Sequence, residues 1–406
     1  MRTSMGYNMN IKYAFLFCLF YFVYFSAYPS VGDSIKVSLL TCSPGEKSFE
    51  LFGHTGIRVQ GPEKDMDIVF HYGVFNFNAP HFIYRFTKGE TDYSIGTTSF
   101  RNFVLSYAVR NSGVMEQELN LTADEKEDLL QALVVNNLPQ NRIYRYNFLF
   151  DNCATRPRDI VERCIRGKID YIAPEGHTTF REMIHKCTFN FPWLTFGIDL
   201  ALGAPLDKPV SYREEMFLPS VLMEAFGNAQ VISTPQDNIR PLVTKSYIVV
   251  PDSHKGMDNS VSYNPYTTPM ACGIYFLVAI LILSTLEIWK KQHFKWLDCI
   301  IFSFYGIVGC VICFLVFISE HPATSPNYSI IWANPLQLLI GVFVWVKYLK
   351  KVVSYYHFVN FAVLLLFLIV WHWLPQLLNI AFIPYIIVLI VRSLTYIGVD
   401  KRLRNI

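Results

Sequence analysis

Two patterns of apolar and polar residues divide the chain. Residues 29 to 268 carry short apolar runs among polar, turn-rich stretches, whereas residues 269 to about 398 form long apolar runs separated by short polar loops. The first pattern predicts a mixed α+β globular domain and the second a set of helices that cross a membrane. In the first region "SIKVSLLTC" predicts a strand that "SPGE" ends. His54 opens another in "HTGIRVQG", and "DMDIVFHYGVF", with His71 inside it, predicts its hairpin partner. "TDYSIGTTSF" and "RIYRYNFLF" predict two more strands. Thr122 and Glu125 make a capping box for a helix whose apolar face carries Leu129, Leu130 and Leu133. Asp151 and Asn152 supply cap-type side chains for a helix in "CATRPRDIVERCI", with Ile160, Val161 and Ile165 on its apolar side. The polar residues 251 to 268 read as a linker.

In the second region five spans are expected, over residues 270–289, 297–318, 328–346, 355–373 and 378–397. Lys290, Lys291 and Lys295 follow the first span, Lys347, Lys350 and Lys351 the third, and Lys401, Arg402 and Arg404 the fifth, while the other two loops carry no lysine or arginine. The positive-inside rule puts these basic groups and the carboxyl terminus in the cytoplasm and exports residues 29 to 250. Ahead of that domain, Arg2 and Lys12 precede "YAFLFCLFYFVYF", an apolar run short for a span and suited to a signal segment over residues 1–28; cleavage after Gly32 and an uncleaved anchor are both open. Glu287 reads as an interfacial residue at the cytoplasmic end of the first span. With a net charge of +3, nothing in the composition points to nucleic acid.

No phosphate-binding loop, dinucleotide fingerprint, zinc motif or internal repeat is present, and no cofactor or metal is expected. Chemistry therefore centres on "DNCATRPRD", where Cys153 is expected in the first turn of a helix, with Arg156 and Arg158 nearby. The unpaired N–H groups and positive dipole end there favour thiolate over thiol. Pro157 predicts either a kink or a helix that starts only at that residue. A nucleophilic cysteine needs a base and a group to orient it, and His54 and His71 on neighbouring strands are the candidates. The alternative is three structural residues that never meet. Cys42, Cys164 and Cys187 share the exported domain, and in an oxidising compartment Cys164 and Cys187 are able to pair. The aromatic run Phe75 to Phe86 belongs either to the core or to the membrane interface. The loop "SEHPATSPNYSIIWANP", with His321, Asn327 and Asn334, lies on the exported face and is either a plain turn or the floor of the site.

Four stretches, "LLTCSPGEKSFELFGHTGIRV", "DIVFHYGVFNF", "YRYNFLFDNCATRPRDI" and "GIDLALGAPLDKP", resemble, in that order, the Lnb-type family of bacterial inner-membrane proteins that N-acylate lipoproteins. The resemblance covers the whole chain. The order of histidine, second histidine and "NC" is also similar to permuted papain-like thiol enzymes. The resemblance implies a permuted papain-like exported domain followed by five transmembrane helices, with Cys153 as nucleophile, His54 as general base and His71 as orienting group. It implies transfer of an acyl chain from a membrane phospholipid to the α-amine of a diacylated lipoprotein. Arg156, Arg158, His321 and Asn327 are the expected substrate contacts; for the two arginines, which would steer the donor's phosphate, the alternative is a solvated helix face. A membrane-anchored cell-wall amidase or endopeptidase is the alternative enzyme, and an assembly protein with a degenerate thiol domain the non-enzymatic one.

Overall fold

The computed structural model describes residues 31–404, apart from residues 49, 62–65, 77, 234–237 and 253–262. The expected signal segment, residues 1–28, lies outside them. Alternating apolar residues form β1 (Lys36–Cys42), β2 (His54–Gln60), β3 (Asp67–Val74), β4 (Asp92–Ser99), β5 (Val114–Leu119), β6 (Ile143–Arg145) and, later, β7 (Lys168–Asp170), β8 (Gln230–Ser233), β9 (Asn238–Pro241) and β10 (Val243–Val250). Seven of them make one antiparallel sheet in the order β10-β5-β1-β2-β3-β4-β6, and β7-β8-β9 make a second. The strand expected over "RIYRYNFLF" is cut to three residues. The Asn147 side chain accepts from the amides of Leu149 and Phe150 at 3.0 and 3.1 Å and so turns the chain instead.

The sheet is covered on both faces. Ile57, Val59 and Phe70 pack against Leu129 and Leu133 of α3 (Ala123–Asn137) and Ile160 and Val161 of α4 (Thr155–Cys164). On the other face Leu40, Cys42 and Val69 meet Phe103 of α2 (Phe100–Ala108). The capping box of Thr122 and Glu125 is formed, and Glu125 is then buried where Arg240 and the amide of Arg166 satisfy it. Cys164 packs in the main core and Cys187 against a separate cluster, and neither forms a disulfide, so the pairing that the sequence left open is not made.

Among the described residues, four helices are long and apolar enough to cross a membrane: Pro269–Lys290, Lys295–Phe317, Lys347–Ile369 and Ile380–Asp400. The third expected span, 328–346, is not a continuous helix. It begins as a turn over Tyr328–Ile331, and only Leu336–Phe343 is α-helical, about 12 Å at 1.5 Å per residue. The reason is visible at its start. The loop before it sinks into the protein, with Trp332 and Ala333 buried, and the Asn334 backbone lies so close to Gly309 that a Cβ there would come within 2.4 Å. The short helix starts at that depth and still carries Trp345 to the Lys295 ammonium, 6.0 Å from its ring centroid, at the basic end of Lys295–Phe317. Glu287 also departs from expectation. It is wholly buried, bonded at 2.8 Å to Arg392, which also bonds Asp298 and Ser284 at 2.9 Å. One arginine thus ties three membrane helices through groups that would be costly to leave unpaired.

A second buried arginine joins the two regions. Arg181, on α5 (Phe180–Thr188), bonds Asp207 at 2.7 Å, Asp199 at 2.6 Å and the Gly203 carbonyl at 2.9 Å. The other oxygen of Asp199 accepts from Asn379, in the loop before the last membrane helix, at 2.8 Å. Removing one partner from such a network leaves buried charges uncompensated, at about 3–5 kcal/mol. Arg181→Met is expected to lower stability by that order in detergent denaturation, with a conservative Leu206→Met well under it; equal effects would show that the ion network contributes little.

Candidate functional site

The site lies where one end of the sheet meets the membrane region. Cys42 is the last residue of β1 and pairs with His54, the first of β2. Gly53 makes this start possible. Its φ is +75°, and a Cβ there would strike the Cys42 carbonyl at 2.7 Å. In the β2–β3 hairpin His71 pairs with Gly56, so His54 and His71 share one face of the sheet. The rings meet edge to face, with His54 Nε2 3.3 Å from His71 Nδ1. Tyr107 of α2 stacks on His54, centroids 6.4 Å apart, and Phe103 lies 5.9 Å from His71.

Cys153 comes from the turn before α4. The helix begins at Thr155, which makes Pro157 a first-turn residue whose missing N–H costs no helical bond, so the expected kink is absent. Asn152 fixes the turn. Its side-chain oxygen accepts from the amides of Ala154 and Thr155 at 2.8 and 2.9 Å, and its nitrogen donates to the carbonyls of Phe148 and Phe217 at 2.7 and 2.9 Å. The two amides that a helix start would have offered to an anion are therefore occupied. The backbone N–H groups of Thr55 and of Cys153 itself face the sulfur instead.

The electrostatics differ from the expected thiolate. Burial pushes the Cys153 thiol up to about 11, against the pull of those two N–H groups. Burial, then the charges of His71 and Arg110, push His54 down to about 3, and burial lowers His71 as well. At neutral pH the proton sits on sulfur and both imidazoles are neutral.

A cavity of about 590 Å³ holds His54, Cys153 and His321 together. His321 reaches it from the membrane region, where its Nε2 lies 2.8 Å from the Phe86 carbonyl. Phe75, Phe82 and Phe86 line the same cavity, and α1 (Phe82–Lys88) has no buried residue, with Ile83 80% exposed beside the contact of Tyr84 with Phe314. Phe75 thus packs against the core as well as lining the cavity, while Phe82 and Phe86 are wall and surface. A concavity of similar size around His177, Glu182 and Lys186 holds none of the expected site residues.

Three expected substrate contacts lie elsewhere. Arg156 is held by Asp151, at 2.5 and 2.7 Å, with its guanidinium 3.5 Å over the Tyr144 ring. Arg158 is buried and bonds Asp159 and the Arg213 carbonyl. Asn327 is buried between Leu200, Ser329 and Gln376, where it joins the loop to the exported domain. None of the three lines the cavity. Tyr107, Arg110 and Glu50 do line it and escaped the sequence reading. Nothing in their spacing marks them, because they come from a helix end and a loop that only the sheet order brings to His54.

With the proton on sulfur, alkylation of resting Cys153 by iodoacetamide is expected to rise about tenfold per pH unit from pH 7 to 10, levelling near its value of about 11, when followed by peptide mass spectrometry. A rate already flat at pH 7 would contradict this burial account.

Residues 30–186 match the family model described as the Lnb N-terminal periplasmic domain, and residues 260–402 match the Lnb transmembrane domain. No curated protein and no solved structure matches the chain. Two family matches in this order, over a sheet domain followed by a domain of membrane helices, show that the chain belongs to the Lnb-type family, with a periplasmic amino-terminal domain anchored in a membrane.

Proposed function

We propose that this protein is a thiol-dependent lipoprotein N-acyltransferase of the bacterial inner membrane, with its site facing the periplasm. The observation that carries the reading is the shared cavity: Cys153 and His54 both line it, beside an aromatic wall and a residue, His321, contributed by the membrane region. A site for lipid substrates belongs at such a junction. A cell-wall peptidase has no need of an aromatic-walled cavity joined to the membrane region.

The chemistry follows from the protonation states. His54 Nε2 faces His71, which leaves Nδ1 to take the proton from Cys153 as sulfur attacks the ester carbonyl of a membrane phospholipid. His71 sets the tautomer and ring plane, as an orienting group does. Asn152 occupies the next two amides, so the N–H groups of Cys153 and Thr55, which face the sulfur at rest, are the donors assigned to the developing oxyanion. The carbon–oxygen bond of the ester breaks, the imidazolium returns its proton to the departing lysophospholipid oxygen, and a Cys153 thioester remains. The α-amine of a diacylglyceryl-cysteine lipoprotein then attacks the thioester. His54 removes the amine proton, the carbon–sulfur bond breaks and the thiol is restored. Because both groups rest neutral, proton transfer accompanies attack instead of preceding it.

In a purified assay that converts a diacylated lipopeptide to its triacylated form, Cys153→Ala is expected to abolish turnover. His54→Asn is expected to cost about 10²–10⁴-fold in kcat, and His71→Ala less. Full N-acylation by Cys153→Ala would sink the proposal, and cleavage of a cell-wall peptide by the wild type without lipid turnover would replace it with the peptidase reading.

A further inference from the structure

The cavity is not uniform around its thiol. All its strand contributions come from one end of the sheet, and the strand order separates two kinds of wall. On the β1–β5 side of His54 stand Ser43, after β1, and Ser112, before β5, with Glu50 and Arg110. On the β3–β4–β6 side stand Phe75, Tyr93 and Tyr146, continued by α1 and His321. Strands lie about 4.8 Å apart, so the polar wall is one to two spacings, about 5–10 Å, from His54.

That wall carries one cation and one anion side by side. Arg110 donates to Glu50 at 2.8 Å and to the Ser106 carbonyl at 2.9 Å, with its guanidinium 4.2 Å over the Tyr107 ring. Glu50 is largely buried, its side chain 12% exposed against 34% for Arg110. A fixed Arg–Glu pair is a poor site for a plain anion, because the carboxylate repels it. It is complementary to a ligand that also carries both charges.

We propose that the polar end of the cavity selects an acyl donor with a zwitterionic aminoethyl-phosphate headgroup, Arg110 meeting the phosphate and Glu50 the ammonium, while the acyl chain lies along the aromatic wall. This rests on the acyl-transfer reading and adds the donor's headgroup class and its orientation to it. The distance from wall to His54 suits a diacylglycerophospholipid, whose reacting ester lies a few bonds from its phosphate. Arg110 also contributes through planar, forked donors that lysine does not reproduce.

The test uses the full-length protein in detergent, without lipoprotein, so that no acceptor amine competes for Glu50. Cys153 acylation and lysophospholipid release are followed with phosphatidylethanolamine, phosphatidylglycerol and a headgroup-free acyl ester of the same chain. Wild type is expected to prefer phosphatidylethanolamine over phosphatidylglycerol by about tenfold or more in kcat/KM, one well-placed charge contact being of that size. Glu50→Gln is expected to erase most of that preference. Arg110→Gln is expected to lower the rate with either phospholipid about tenfold relative to the headgroup-free ester, mainly through KM, with Arg110→Lys intermediate. Equal wild-type rates with the two phospholipids, or unchanged ratios in the variants, would overturn the headgroup site and leave acyl transfer standing. Absence of any Cys153 adduct from all three esters would overturn both.

Discussion

The Asn152 amide bonds four backbone groups at once: two carbonyls from separate segments and two amides of the turn that follows. A buried amide satisfied on every side is expensive to move, because each lost bond leaves a polar group stranded. That constraint holds Cys153 in place. It also explains why a helix start does not make Cys153 a resting thiolate, since the amides that would have done so serve the cap.

The two histidines proposed to serve Cys153 are held by a different constraint, the register of an antiparallel hairpin. Pairing of Cys42 with His54 and of Gly56 with His71 leaves the two imidazoles on one face, within reach of each other. Burial then keeps His54 and Cys153 neutral, so the site is quiet until a substrate fills it. In the proposed transferase, burial of these groups protects the thioester from hydrolysis. The membrane region contributes to the same site. Its loop enters through His321, and the bonds of Asn327, Gln376 and Asn379 to the exported domain fix that loop's height.

Much of this was legible in the sequence because it depends on local pattern. Period-two alternation gave β1 to β4, a capping box gave the start of α3, and residue type pointed to Cys153, His54 and His71. What was not legible depends on distant neighbours. The span at 328–346 reads as a full crossing by hydropathy, yet its first half is a buried loop seated against Gly309. Arg156 and Arg158 read as free positive charge, yet Asp151, Asp159 and the Arg213 carbonyl consume them. Glu287 reads as interfacial only until Arg392, more than a hundred positions along, is found beside it. Arg110 and Glu50 carried no signal, since the pair forms across a sheet edge.

The central claim is that an acyl chain rests on Cys153 between donor and acceptor. Its most direct test is mass spectrometry of the protein loaded with a phospholipid whose acyl chains are deuterated, then chased with an unlabelled diacylated lipopeptide. The account predicts a deuterated adduct on the Cys153 peptide that disappears as the label reaches the lipopeptide amine. Label on the amine with Cys153 unmodified throughout, or an adduct that survives the chase, would contradict it.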